Sequence, residues 1–297
     1  MTQDEFARQQ IQLGHALHYH QGVWWEKQRS RPFFYKPASR LQEIVPGASR
    51  PSPLRALVGY SHAVPPGAGH STTWPTMIAT WDRTDVFSLD NLAGATAVKR
   101  SQVRRMVRTA QRELEIRMFH SCAELMHDLR QINIETALRT GAGRPPSYYT
   151  EQEDRWQAFI RSLFELPERE WWGAFYQERL IAYLYGYAIG RDWIVNTAKS
   201  LSDCMHLRPN DGLLFHAMER AINLHRCSRI VHGDWSENES KLTQFKAKHG
   251  FGRVDIPVQR SINPLVWWAR EMRSRFRQGR GARAPIPVQE QGHTQEM

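Results

Sequence analysis

The chain has 297 residues, and its 40 Lys plus Arg against 30 Asp plus Glu leave a formal charge of +10 with His neutral. With 41% hydrophobic residues, 24% charged residues and eleven Trp, it lies far from the composition of disordered chains, and a globular protein is expected. The length exceeds the ~100 to 200 residues of an ordinary domain, so two packed units are expected.

The opening MTQDEFARQQ has two acids and no apolar run, so no secretory signal and a cytoplasmic location are expected. Residues 1–98 read as a smaller irregular unit, in which LRALVGY (54–60) and TMIATW (76–81) are short strands between Pro- and Gly-rich turns. From Thr96, Val103, Met106, Val107, Ala110 and Leu114 recur at helical spacing, while Arg104, Arg105, Arg108 and Arg112 take the other faces. This predicts a basic amphipathic helix, which either contacts phosphate or is simply a solvated face. EIRMF (115–119) is then a strand, 121–140 a helix stopped by Gly141 and Gly143, and 151–164 a further helix.

WWGAFY, LIAYLYGYAI and WIVNTAKS follow as apolar runs joined by QER and GRD, which predicts a three-stranded antiparallel meander. The middle run, Leu180 to Ile189, is about half the ~20 residues that a membrane-spanning helix needs. Asn210 or Asp211 is expected to cap a helix carrying Leu214, Ala217, Met218, Ala221 and Ile222 on one face. SRIVHGD is a strand, Ser236 with Glu239 opens a helix that Gly250 ends, and RVDIPVQ is a last strand. NPLVWWAREMRSRFRQGR is expected to form a helix from Pro264 that either packs on the sheet or lies on an anionic membrane surface; residues 279–297 read as a disordered tail.

The order from Glu115 onward resembles the acyltransferases of the GNAT fold, and within them the Fem-type aminoacyltransferase branch and its acetyltransferase relatives. The basic helix running into a strand, the meander running into NDGLLFHAMERAI, and the pairing of HGD (His232 to Asp234) with FKAKHGF (Phe245 to Phe251) carry the resemblance over roughly Ala97 to Arg260. It implies an α/β (α+β) chain whose residues 99–278 form a mixed, largely antiparallel sheet flanked by helices, with residues 1–98 as a shortened copy of that fold or as an unrelated small domain.

Acyl transfer needs a group that polarises the carbonyl and a route for the nucleophile's proton. The resemblance places Phe245 and Lys246 beside the transferred acyl group and makes Lys246 the expected electrophile; the other reading is a solvated helix lysine. His232 and Asp234, two apart on one strand, share a face and offer a proton acceptor with an orienting carboxylate, or else only a polar turn. The resemblance puts His206, Asn210 and Gly212 on the donor side, the other reading of His206 being a loop histidine satisfied by backbone.

Leu207-Arg208-Pro209-Asn210-Asp211-Gly212 occupies the place where acetyl-CoA enzymes of the family carry an Arg/Gln-x-x-Gly-x-Gly/Ala turn around the pyrophosphate. It has one Gly, and Asp211 is expected to repel phosphate there, so acetyl-CoA binding is expected to be weak. The acyl donor is either aminoacyl-tRNA, which suits the positive charge, or acyl-CoA. No tightly bound cofactor is expected.

Cys122, Cys204 and Cys227 form no CxxC pair and are expected to be reduced, inert thiols. His15, His18 and His20 lack a carboxylate or Cys at ligand spacing, so no metal site is expected and a polar helix face beside Trp24 and Trp25 is read instead. The expected function is transfer of an acyl or aminoacyl group to an amine or hydroxyl by direct attack. One alternative is an acyl-CoA-dependent N- or O-acetyltransferase acting on a saccharide or lipid-linked precursor. Another is a non-catalytic protein of the same fold that binds RNA through Arg104, Arg105 and Arg108, an anionic membrane at the inner face, or a protein partner.

Overall fold

A computed structural model describes residues 1–28, 33–39, 42–44, 48, 51, 59–65, 72–80, 87–90, 92, 97–141, 144–225, 227–235, 240–264, 266 and 268. The first helix, α1 (Gln3–Gln12), starts at a capping box in which Thr2 and Glu5 each satisfy the other's backbone N–H. Strands β1 (Leu17–His20) and β2 (Val23–Lys27) then pair as a hairpin around Gln21 and Gly22, both at positive φ. The polar helix face expected for His15, His18 and His20 beside Trp24 and Trp25 does not form: His18 and His20 stand on β1 and the two tryptophans on β2, because the two-residue Gln-Gly turn folds this segment into a hairpin.

Next come β3 (Phe34–Pro37), β4 (Gly59–Ala63) and β5 (Thr72–Thr80). The expected strand 54–60 overlaps β4 only at residues 59 and 60, because residues 54–58 lie outside the described residues. The basic helix α2 (Ala97–Glu113) leads into β6 (Glu115–Met118), followed by α3 (Met126–Thr140), the short α4 (Pro146–Thr150) and α5 (Glu153–Phe164). Gly141 ends α3 in the left-handed region, its N–H donating to the Ala137 carbonyl.

The meander is β7 (Arg169–Tyr176), β8 (Arg179–Ile189) and β9 (Asp192–Ser200), joined by turns at Gln177-Glu178 and Gly190-Arg191. The chain closes with α6 (Pro209–Asn223), β10 (Arg229–Asp234), α7 (Ser240–Lys248) and β11 (Gly252–Ile262). Helix α6 begins at Pro209 after Arg208 in the left-handed region, so Asn210 and Asp211 lie inside its first turn and neither is its cap. The expected helix start at Ser236 and the tail 279–297 fall outside the described residues, as do the arginines of the C-terminal helix; Pro264, Val266 and Trp268 are helical.

Among the described residues eleven strands join one sheet in the order β1-β2-β3-β4-β11-β5-β10-β9-β8-β7-β6, antiparallel except at β3–β4 and β9–β10. The strand pattern occurs twice: a three-stranded meander, a strand parallel to its last member, and a final strand. Each final strand is exchanged, since β5 pairs with β10 of the second set and β11 with β4 of the first.

Alternation along β7 packs Trp171 on Phe164 of α5 and Trp172 on His216 of α6, which puts these helices on opposite faces. Phe6 of α1 stacks on Tyr187, and the Tyr183 hydroxyl donates to Asn133 of α3, so α1 and α3 share the α5 face. On the other face Val103, Val107 and Ala110 of α2 are fully buried, as are Leu213, Leu214 and Ala217 of α6. Burying a side chain of the size of Leu214 contributes about 1.5–3 kcal/mol. Among the described residues no helix is long and apolar enough to cross a membrane.

Candidate functional site

The parallel pair β9–β10 is tied at one end and open at the other. At the tied end Arg229 and Asp192 are register partners, and the guanidinium donates to both carboxylate oxygens at 2.5 and 2.7 Å. The ladder runs through Ile230↔Trp193 and ends at Val231↔Ile194. Beyond that point each strand carries a bulge, β9 in its pairing with β8 and β10 in its pairing with β5. Asn196 is the extra residue of β9 between Tyr185↔Thr197 and Gly186↔Val195. On β10 the register against β5 slips between Val231 and Asp234, with Gly233 at φ +70°. An inserted residue bends its strand and ends pairing, so two such bulges leave the sheet open.

A cavity of about 360 Å³ lies at this opening. Asn196, Gly233 and Asp234 line it from the opened strands, and Phe6, His15, Glu26 and Lys36 line it from the N-terminal part of the chain. The Asn196 amide donates to the hydroxyl of Tyr185, which stacks on Trp171 with ring centroids 4.3 Å apart.

Lys246 comes from α7 to the far end of β10, beside Gly233 and Asp234. Its side chain is buried, its ammonium donates to the Asp234 carbonyl at 3.2 Å, and it lies 3.9 Å from where a Cβ on Gly233 would stand. The reading as a solvated helix lysine is therefore excluded. Phe245, its neighbour, faces His249 with ring centroids 4.8 Å apart and packs against the core.

His232 and Asp234 do not share a face as a regular strand would dictate, because the bulge lies between them. Asp234 lines the cavity, whereas His232 packs edge-on against Phe251 with its Nε2 buried and unpartnered. Burial, with Lys246 and His249 nearby, pushes the His232 imidazole down to about 3, so it is neutral at pH 7.

Asp211 is not presented to a ligand. It is buried and accepts from Lys248 at 2.6 Å and His249 at 2.9 Å, which joins the first turn of α6 to the end of α7. Burial by itself would raise the Asp211 carboxyl, but the bonds and charges of His249 and Lys248 hold it below the usual carboxylate range. The expected repulsion of phosphate by Asp211 is thus corrected: its charge is turned inward and compensated.

Gly212 serves packing, since a Cβ there would lie 2.4 Å from Ile116 Cδ1 and 2.7 Å from Ala110 Cβ. Pro209 brings no N–H, and the Asp211 and Gly212 N–H groups donate to the Arg208 carbonyl. The Asn210 amide donates to Ser200 Oγ at 3.0 Å, and exposed His206 is bonded through Nδ1 to the Asp203 carbonyl at 2.8 Å. Burial pushes the Cys204 thiol up to about 11, away from a nucleophilic thiolate. On α2, Arg105 and Arg108 are exposed beside Arg104, which reaches Asp90 at 3.1 Å.

Sequence reasoning missed Asn196 and Lys199. Lys199 donates to Asn133 Oδ1 at 2.6 Å, and burial lowers its ammonium to about 8. A bulge leaves no composition signal, and an apolar strand with a Lys near its end reads as an ordinary surface strand.

No protein-family model matches the chain, and no curated protein matches it in sequence. Similarity to solved structures is extensive. FemX superposes with a TM-score of 0.62 at 12% identity, covering 89% of this chain and 92% of FemX. The C-terminal domain (DUF2156) of a lysylphosphatidylglycerol synthetase from Agrobacterium fabrum gives 0.57 at 10% identity, covering 91% of each chain. L-PGS from Bacillus licheniformis gives 0.51 at 9% identity, covering 93% of this chain and 96% of that one. At such identities the likeness is one of fold: the chain has the fold that FemX and these two proteins share.

Proposed function

We propose that the chain is an acyl- or aminoacyltransferase in which an amine or hydroxyl attacks the acyl carbon directly at the opening between β9 and β10. The observation that carries this reading is the buried Lys246 ammonium held beside Gly233 and Asp234, two residues that line the cavity at this opening. As the nucleophile attacks, the carbonyl oxygen gains negative charge, and a cation already fixed in a partly dry site stabilises that charge without reorganising. Gly233 matters because any side chain there would stand between the ammonium and the cavity. Asn196, with Nδ2 engaged by Tyr185, offers its Oδ1 to orient the acceptor.

The start of α6 fits pyrophosphate poorly. Its one early glycine is occupied by packing, and two of its first N–H groups donate to Arg208. An acyl ester carried by a polyanion suits the chain better, with exposed Arg105 and Arg108, beside the half-buried Arg104, as the phosphate-facing surface. Aminoacyl-tRNA is the donor of this class that we propose.

The test is Lys246→Met, which keeps the apolar stem and removes the cation. If the charge contributes the roughly 3 to 4 kcal/mol typical of losing one such donor, transfer should slow by about two to three orders of magnitude with donor affinity unchanged. Lys241→Met, exposed on the same helix, should transfer like the wild type. Equal rates for wild type and Lys246→Met would overturn the reading.

A further inference from the structure

We infer that His15, oriented by Glu26, is the proton acceptor of this site and is delivered to it by the N-terminal part of the chain. The inference rests on the acyl-transfer reading above. Both residues line the cavity that Asn196, Gly233 and Asp234 line from the other side.

The arrangement follows from the local fold. Gly14, at φ +78°, turns the chain out of α1, and the Lys27 N–H donates to the Ala16 carbonyl, which fixes the segment carrying His15 against β2. Glu26 is the register partner of Leu17, two residues beyond His15. Its Oε1 lies 2.6 Å from His15 Nδ1, and its Oε2 lies 3.4 Å from Lys36 Nζ on β3. The Glu26 side chain is 15% exposed and that of His15 29% exposed. Burial would raise the Glu26 carboxyl, but the His15 bond and the Lys36 charge hold it below its ordinary range, so it is ionised.

A carboxylate accepting from Nδ1–H fixes the tautomer whose Nε2 carries the lone pair, and it stabilises the imidazolium that forms when Nε2 takes a proton. The described residues bring no three His, Cys, Asp or Glu together as metal ligands, so base chemistry is what this pair offers.

The step balances as follows. The acceptor's nitrogen or oxygen forms a bond to the acyl carbon and gives its proton to His15 Nε2. The bond from that carbon to the donor's ester oxygen breaks, and the oxygen leaves with the electron pair and takes a proton from water. The imidazolium then returns its proton to water. No oxidant or reductant enters. The charged groups lining the cavity with His15 are Glu26 from β2 and Lys36 from β3 on its own side and Asp234 from β10 on the other.

The experiment compares wild type, His15→Gln and Glu26→Gln in a transfer assay across pH, using aminoacyl-tRNA or acyl-CoA as donor and a panel of amines and alcohols as acceptors. The circular dichroism spectrum of each variant confirms folding. Removing a general base costs about 10²- to 10⁴-fold, so His15→Gln should lose at least a hundredfold in kcat and the acid limb of its pH profile. Glu26→Gln retains the fold and an acceptor atom; it should lose about tenfold and move the acid limb to lower pH, because the imidazolium loses its carboxylate. Wild-type rate and pH profile in His15→Gln, with Lys246→Met still impaired, would overturn the role of His15 alone. Absence of transfer by the wild type from either donor to any acceptor would overturn both this inference and the reading beneath it.

Discussion

The pairs β3–β4 and β9–β10 are both parallel and both follow a three-stranded meander, yet one is filled and the other held open. Between β3 and β4 the register is Phe34↔Gly59 and Tyr35↔Tyr60, and the surrounding space is taken by Trp25, Tyr35, Tyr60 and His62. Gly59, at φ +145°, lets the Ser261 carbonyl of β11 approach so closely that a Cβ would lie 2.2 Å from it. Between β9 and β10 the Arg229–Asp192 pair closes one end, and bulges at Asn196 and at His232-Gly233 open the other. Strand order is therefore not what makes a site here. The proposed site lies where pairing stops and a cavity is left, with the Lys246 ammonium held beside Gly233 at its lining.

The comparison predicts that the filled junction is the more sensitive to added volume. Gly59→Ala puts a methyl into a carbonyl in a strained backbone region and should cost about 3 kcal/mol or more, read as a lower urea midpoint. Gly233→Ala meets nothing nearer than 3.9 Å, so only its φ of +70° opposes it. That variant should lose about 1 kcal/mol while losing far more of its transfer rate. A larger stability loss at Gly233 than at Gly59 would break the distinction between a packed and an open junction.

Cutting the tie of the open pair comes next in size. Asp192→Ala leaves the half-buried Arg229 guanidinium without its carboxylate and should cost about 2 to 3 kcal/mol, below the full cost of a wholly buried pair. Wild-type melting behaviour would show that the bulges hold the opening without this clamp. Lys248, two positions from Lys246, points instead to Asp211, to which its ammonium donates at 2.6 Å. Lys248→Met should lower stability by about 1 kcal/mol, and Asp211→Asn made in the same background should cost less than it does alone.

The smallest effect is the pH dependence contributed by His232. Its folded value of about 3 lies below the ordinary 6.5, so as pH falls below 6.5 the unfolded chain takes up a proton that the folded chain refuses, and stability drops. Between pH 6.5 and 5.5 this amounts to about 1 kcal/mol. His232→Asn should flatten that part of the curve by the same amount, measured by chemical denaturation at the two pH values. An unchanged slope would mean that His232 is not the group that resists protonation.

The fold was largely legible in the amino-acid sequence. The basic helix, the meander and the order after it rest on local signals: apolar spacing near 3.6 for α2 and α6, and short polar turns between β7, β8 and β9. A short run of residues resembling a family signature singled out Lys246, and the structure buries it. What sequence could not supply are relations between distant residues. Asp211, a repulsive charge when read alone, is compensated by two residues 37 and 38 positions later. His232 and Asp234 were placed on one face by strand periodicity, and a bulge separated them.

His15 and Glu26 are eleven positions apart and met only because β1 and β2 form a hairpin. That hairpin reached the β9–β10 opening only because β5 and β11 are exchanged between the two strand sets. Sequence fixes a helix through the neighbours that make its hydrogen bonds. A cavity is set by where long-range pairing stops, and no local pattern records that.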